Sequence, residues 1–359
     1  MYFSNIDYKI RYIDPSKSTN GDGLTIATAF NQLPTTDAGY VENILYLIRR
    51  TAEATAVTIP NMTCNRKNFV FMGMPKAEDW LYDVVPQEAK DAWGADTEEY
   101  ANIKSTVYDG HFLMPNVQNF HLFRIYLYRS NIEPRQYIFY SENSSFNTQV
   151  SFQKCKFGAL GVNLDNDNFS TAQTTYRACC FAYFDYVRSF IMQDCIINFS
   201  CPNTGSYYGF KISYSYLINI SNTTVNNVFQ SSYYTNYPFY FDGRDSERPT
   251  TAYIENVTMN IALNNGYQYV PYLLYLRNPE FLRMKNINVG ITKSLGTAQP
   301  TNLQLYNAII YVYEAREYDI QDISIGLPAV WNVDSSGACL NFENFYQRSR
   351  YPGNLQQVK

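Results

Sequence analysis

Residues 284–289 read MKNINV and residues 320–325 read IQDISI. Both follow one six-residue pattern: apolar, any, Asn or Asp, apolar, any, apolar. With Cys or Thr also admitted at the fourth position, and the third mostly rather than always Asn or Asp, the pattern returns five more times. The copies are LFRIYL from Leu122, FQKCKF from Phe152, MQDCII from Met192, ISNTTV from Ile220 and IENVTM from Ile254. The third position holds Asp194, Asn222, Asn256, Asn286 and Asp322 in the five later copies, and Arg124 and Lys154 in the two earliest.

Side chains along a strand alternate in direction with period two. The apolar residues at positions one and four are three apart, so both cannot face inward along one unbroken strand. Those at positions four and six can. A corner must therefore fall between positions one and four. Asn and Asp tolerate the left-handed conformation that such a corner needs. Asp194, Asn222, Asn256, Asn286 and Asp322 are therefore assigned as structural corner residues at equivalent, stacked bends.

Successive copies begin 30, 40, 28, 34, 30 and 36 residues apart, averaging 33. Neither a fixed period nor 3.6-residue patterning is present, so constant strands are joined by variable loops. A second strand precedes each later copy: FAYF ending at Phe184, GFKI at Ile212, LLYL at Leu276 and IYVY at Tyr313, with YIFY at Tyr140 and FYF at Phe241 further upstream. Short strands at this density mean an all-β chain. Asn-Gly and Asp-Gly turns do not separate the strands at hairpin distance, which argues against a sandwich. Two or three strands in about 33 residues are too few for a propeller blade. The expected fold is a single-stranded right-handed parallel β-helix, a solenoid of about seven irregular rungs.

Composition agrees with one extended repeat domain. The 359 residues are 46% hydrophobic but only 17% charged, and 28 basic against 32 acidic residues leave a formal charge of −4. That balance gives no reason to expect a nucleic-acid or anionic-membrane partner. The 34 Tyr and 23 Phe suit strands, and tyrosine also suits sugar or protein contacts. Seven scattered cysteines without a CxxC pair read as buried thiols, with Cys155 and Cys195 at the same repeat position. The opening residues lack a signal-peptide core, and no run of 18 apolar residues occurs, so neither a secretory leader nor membrane insertion is expected.

The front of the chain differs from the repeats. Residues 12–34 read YIDPSKSTNGDGLTIATAFNQLP, followed by ENILYLI at 42–48 and NFVFMG ending at Gly73. Tyr12, Ile13, Asp14, Pro15, Gly21, Gly23, Ala29, Phe30 and Gly73 resemble the opening of pectate-lyase-like β-helix domains: a strand, a Gly-rich turn, an Ala-Phe helical cap and a Leu/Ile-rich first rung. Residues 1–41 are thus expected to hold an N-terminal strand and capping helix over Thr25–Leu33. Residues 42–345 would be the β-helix, with a partner-facing excursion at 74–104 and a helix across PQEAKDAW. Residues 346–359 would be a polar tail.

Signals of chemistry are sparse. His111 and His121 lack a nucleophile elbow or metal-ligand spacing and read as structural. Asp165 and Asp167 alternate in a loop that lacks the closing Glu and central Gly of a calcium site. No metal or cofactor is expected. The candidate catalytic acids are Asp242, Asp245 and Glu247 in DGRDSE, with Asp185 and Asp194 flanking the Met192 rung. The candidate ligand-binding aromatics are Tyr233, Tyr234 and Tyr237 in SYYTNYPFYF.

The resemblance implies two functions, since such domains occur in polysaccharide-degrading enzymes and in bacteriophage tailspikes, tail fibres and other virion proteins. The expected function is a virion structural protein of tail spike or fibre type, assembled in the bacterial cytoplasm, with an adhesive or receptor-binding role. Its expected partners are other virion proteins or further copies of itself, and a bacterial surface polysaccharide. The alternative is a polysaccharide depolymerase acting as a glycoside hydrolase or lyase.

Overall fold

The computed structural model describes residues 7–105, 112–129, 137–141, 148–159, 180–200, 207–229, 236–243, 250–263, 274–292, 303–304, 310–313, 315–326, 331–332, 340–343 and 354–358. Among them the chain is all-β and parallel-stranded. Except at the ends of the stack, each rung contributes a strand to each of three faces, and each strand pairs with its equivalent one rung away. The rung around Met192 shows the plan. Ala182–Asp185 lies on the first face, Val187–Gln193 on the second and Ile196–Ser200 on the third. The first face is a nine-stranded sheet. The second and third form one continuous sheet, because Leu217–Phe229, Thr250–Leu263, Pro279–Thr292 and Glu317–Gly326 run through the corner between them.

That corner is a single residue. Arg124, Lys154, Asp194, Asn222, Asn256, Asn286 and Asp322 all have φ between 48° and 54°. A left-handed residue flips the alternation, so Met192 before the corner and Cys195 after it both point inward and are buried. The corner side chains then bond along the stack. Asn286 Nδ2 donates to Asn256 Oδ1 at 2.9 Å, Asn256 to Asn222 at 3.1 Å and Asn222 to Asp194 at 3.1 Å. A second asparagine row lies on the third face, where Asn260 donates to Asn226 at 2.9 Å and Asn226 to Asn198 at 3.0 Å.

The three faces enclose one core of Phe, Ile, Leu, Val and Met. Phenylalanines stack from rung to rung inside it, as in Phe71 on Phe139 and Phe210 on Phe239. Cys64, Cys155, Cys180 and Cys195 are buried free thiols. The Cys155 and Cys195 thiols each donate to a carbonyl two residues earlier, at 3.2 Å.

The early rungs interrupt the pattern at the corner itself. Gly73, beside the left-handed Arg124 in register, is not itself left-handed, and its strand ends there. Residues 74–100 leave there, and the third face resumes at Ala101–Ser105, paired with Ile125–Arg129. This excursion carries the helix α1, Gln87–Trp93, which places Ala89 and Trp93 on one buried face. With Leu81 and Val85 they cover Leu45, Leu47, Val70, Met72 and Phe123 on the outer side of the second face. One rung later the outward residues become polar, Ser151 and Gln153. The outward positions are apolar where the excursion lies on them.

Arg124 and Lys154 hold that excursion. The Arg124 guanidinium, 3% exposed, pairs with Asp79 and Glu99, and Lys154 Nζ lies 2.6 Å from Asp79, whose side chain is fully buried. Burial opposes ionisation of Asp79. Hydrogen bonds from Arg124, Lys154 and the Lys76 amide overcome it and hold the carboxyl at about 2. The two cations at corner positions are therefore ligands of the excursion.

Two readings of the termini change. Thr25–Leu33 forms turns, not a helix. The Thr28 amide donates to Thr25 Oγ1 at 3.1 Å and Thr28 Oγ1 to Asp22 at 2.5 Å, local bonds that compete with helical ones. Phe30 instead bridges to Ile13 and packs against Gly23, whose φ of 70° and contact with that ring leave no room for a side chain. At the other end Asn354–Val358 is a strand paired with Glu317–Gly326, within the segment read as a tail. Along the second face the stack holds eleven strands, because residues 9–13, 44–48 and 68–73 each contribute one before the first motif copy.

Asn286→Ala should destabilise the protein by about 1–3 kcal/mol, through left-handed strain and loss of the bond to Asn256. Asn286→Gly should cost less, because glycine adopts the conformation freely. Denaturant unfolding of both variants checks the ranking, and Gly costing more than Ala would contradict it.

Candidate ligand-binding face

On the first face, inward residues alternate with outward ones. Phe184, Ile212, Phe241, Leu276 and Val312 enter the core. The outward register then aligns Tyr140, Tyr183, Lys211, Tyr240, Tyr275 and Tyr311 in one row. Tyr240 stacks on Tyr275 at 4.8 Å and 6°, and Tyr275 on Tyr311 at 5.0 Å and 14°. These separations equal the spacing of adjacent strands, about 4.8 Å. Lys211 continues the row with its ammonium 4.4 Å from the Tyr183 ring centre. Tyr183 lies 5.1 Å from Tyr140.

Two further rows flank it. Tyr208 stacks on Tyr237 at 5.1 Å, and both rings pack against Tyr240. On the other side Asp185, Ser213, Asp242, Arg277 and Tyr313 align in register. Asp185 accepts the Tyr183 hydroxyl at 2.8 Å, and Arg277 lies over the Tyr313 ring at 5.5 Å. Burial, helped by the Asp185 carboxylate, pushes the Tyr183 hydroxyl pKa up, so it stays a neutral donor.

The row spans five inter-strand steps from Tyr140 to Tyr311, about 24 Å. Where rings stack, their faces are occupied by neighbours, so the row offers ring edges and hydroxyls at the rung spacing. Such a surface matches a linear polymer with one polar unit per step better than one small molecule.

The sequence candidates divide. Tyr237 belongs to this face, and Asp242 to its acidic row, 8% exposed. Tyr233, Tyr234, Asp245, Glu247, Asp165, Asp167 and His111 lie outside the described residues. Asp185 ends the first-face strand and Asp194 is the corner beyond the opposite end of Val187–Gln193, so the two cannot face one substrate. Asp185 and Asp242 share one row two rungs apart. Asp194, Asn222, Asn256, Asn286 and Asp322 line the corner, away from this face. The tyrosine row escaped sequence reasoning, yet its signal is present. Tyr183, Lys211, Tyr240, Tyr275 and Tyr311 each stand one residue before an inward-facing residue of the upstream strands, Phe184, Ile212, Phe241, Leu276 or Val312.

No protein-family model, no curated protein and no solved structure matches the chain. Among the described residues, no three potential ligands cluster around a metal position, and no helix is long and apolar enough to cross a membrane.

His121 lies on the second face, buried, with Nδ1 2.9 Å from Ser151 Oγ. Burial lowers its pKa from 6.5 to about 4, so the folded protein holds it neutral. The unfolded chain then binds the extra proton between these values. Stability is full above pH 6.5 and falls as pH drops toward 4. At pH 4.5 the loss should be about 2–3 kcal/mol relative to pH 7. The His121→Asn variant should lack that slope in denaturant titrations. An equal slope in both proteins would place the titration elsewhere. Asp79 contributes only at lower pH, below its unfolded value.

Proposed function

We propose that this chain is a right-handed parallel β-helix with an N-terminal cap, and that it serves as an adhesive component of a bacteriophage virion, of tail spike or fibre type. Its ligand is a bacterial surface polysaccharide, bound along the tyrosine row. The single observation that carries the reading is the register of Tyr140, Tyr183, Lys211, Tyr240, Tyr275 and Tyr311 on one outer face. The right hand follows from the strong preference of parallel connections for it. The cap is the role best suited to residues 14–34, where Phe30 and Leu33 pack at the end of the core. The virion assignment rests on the resemblance of residues 10–73 and is supported by the buried free thiols, which suit assembly in a reducing cytoplasm. Partners in the particle are further copies or other virion proteins.

A second reading, depolymerisation, is favoured by Asp185 and Asp242. Two rungs put their backbones about 9.6 Å apart. That is compatible with the roughly 6.5–9.5 Å between the carboxyls of inverting glycoside hydrolases.

The test is a panel of purified capsular and lipopolysaccharide O-chains, read by binding and by release of reducing ends or unsaturated products. Wild type should bind at least one polysaccharide. The double variant Tyr240→Ala, Tyr275→Ala should bind it about tenfold or more weakly with its fold intact. Binding to none removes the adhesive reading. Product release that Asp242→Asn abolishes would favour the enzyme.

A further inference from the structure

A second bend joins the first face to the second, and its residues also stack in register. Tyr186 N donates to Ser213 O at 3.0 Å, Tyr214 N to Asp242 O at 2.8 Å, Gly243 N to Arg277 O at 3.0 Å and Asn278 N to Tyr313 O at 2.8 Å. The bend positions are therefore Tyr186, Tyr214, Gly243 and Asn278 on four successive rungs. Tyr186, Tyr214 and Asn278 are left-handed, with φ of 54°, 55° and 54°. Asparagine is a usual occupant of that conformation, and a bulky aromatic is an outlier. Two consecutive rungs accept the worse residue.

What the strain obtains is a ring pair. Tyr186 and Tyr214 stack at 4.8 Å and 7°. The other face of Tyr214 looks along the stack toward the next bend, which is Gly243. A Cβ built there would lie 2.8 Å from Arg277 O and 2.9 Å from Thr250 Oγ1, so that rung cannot supply a ring. Among the described residues no aromatic covers this face of Tyr214. One rung further, Asn278 fills the bend with the residue usual for its conformation.

We infer that Tyr214 is the floor of a stacking subsite for one pyranose ring of a polysaccharide, with Tyr186 backing the floor. This rests on the adhesive reading and extends its face around the bend. A pyranose presents an apolar C–H face to an aromatic ring, and a ring held on the bend at a backbone cost meets that need. The tyrosine row cannot do the same, since its stacked rings face one another.

The test uses full-length protein, the polysaccharide that wild type binds in the panel, calorimetric titration and thermal unfolding. Tyr214→Asn replaces a strained ring by a residue suited to the bend. It should keep Tm at or above wild type while weakening binding about tenfold. Tyr214→Phe keeps the ring and should bind within about twofold of wild type. Wild-type affinity in Tyr214→Asn would overturn the subsite, and so would an equal loss in Tyr214→Phe, which would assign the effect to the hydroxyl. A marked fall in Tm for Tyr214→Asn would overturn the claim that the ring is held at a cost to the fold. If Tyr240→Ala, Tyr275→Ala loses binding while Tyr214→Asn does not, the subsite fails and the adhesive reading stands. If wild type binds no polysaccharide, both fail.

Discussion

The structure depends on one backbone constraint, a single left-handed residue at the corner between the second and third faces. Without it, side-chain alternation would carry straight through, and an inward residue before the bend would leave its partner three positions on pointing outward. With it, the core continues around the corner and the strand ladder need not break, as Thr250–Leu263 and Pro279–Thr292 show. A corner residue must take φ near 50° at tolerable cost and satisfy its polar atoms. Asparagine does both, because its amide can donate to one rung and accept from another. The chain of bonds from Asn286 through Asn256 and Asn222 to Asp194 is the outcome.

Much of this was legible in the sequence because the constraint is local. Two inward residues three apart with Asn or Asp between them can be read without knowing what packs where. The strands and the helix α1 follow from similarly short patterns. The expected helix at Thr25–Leu33 failed for an equally local reason, since Thr25, Thr28 and Asp22 bond to one another and to nearby amides. The exceptions Arg124 and Lys154 were visible but not interpretable. Their role depends on Asp79, which is 45 and 75 residues away in the chain.

The tyrosine face was harder to read because outward residues carry no burial signal. A tyrosine pointing outward from a strand looks like one pointing inward until the register is known. Only pairing of Tyr183, Lys211, Tyr240, Tyr275 and Tyr311 on adjacent strands turns separate residues into a row. The candidate acids illustrate the same limit. Asp194 and Asp185 are close in sequence but lie at opposite ends of the second face, and Asp242, much further along, is the one that shares a row with Asp185.

The ion-paired excursion also has a mechanical consequence. In a stack of parallel strands each rung is tied chiefly to its neighbours, so an axial pull can peel the structure one rung at a time. Residues 74–100 alter that at one end. Asp79, buried between Arg124 and Lys154, links the segment leaving Gly73 to the next two rungs at once, while Trp93 and Leu81 lie across earlier ones. The segment works as a strap, so load applied there is shared among several rungs before any of them opens. The later rungs, held by edge hydrogen bonds and amide rows, would yield one by one. A rod so built is tear-resistant at one end and frayable toward the other.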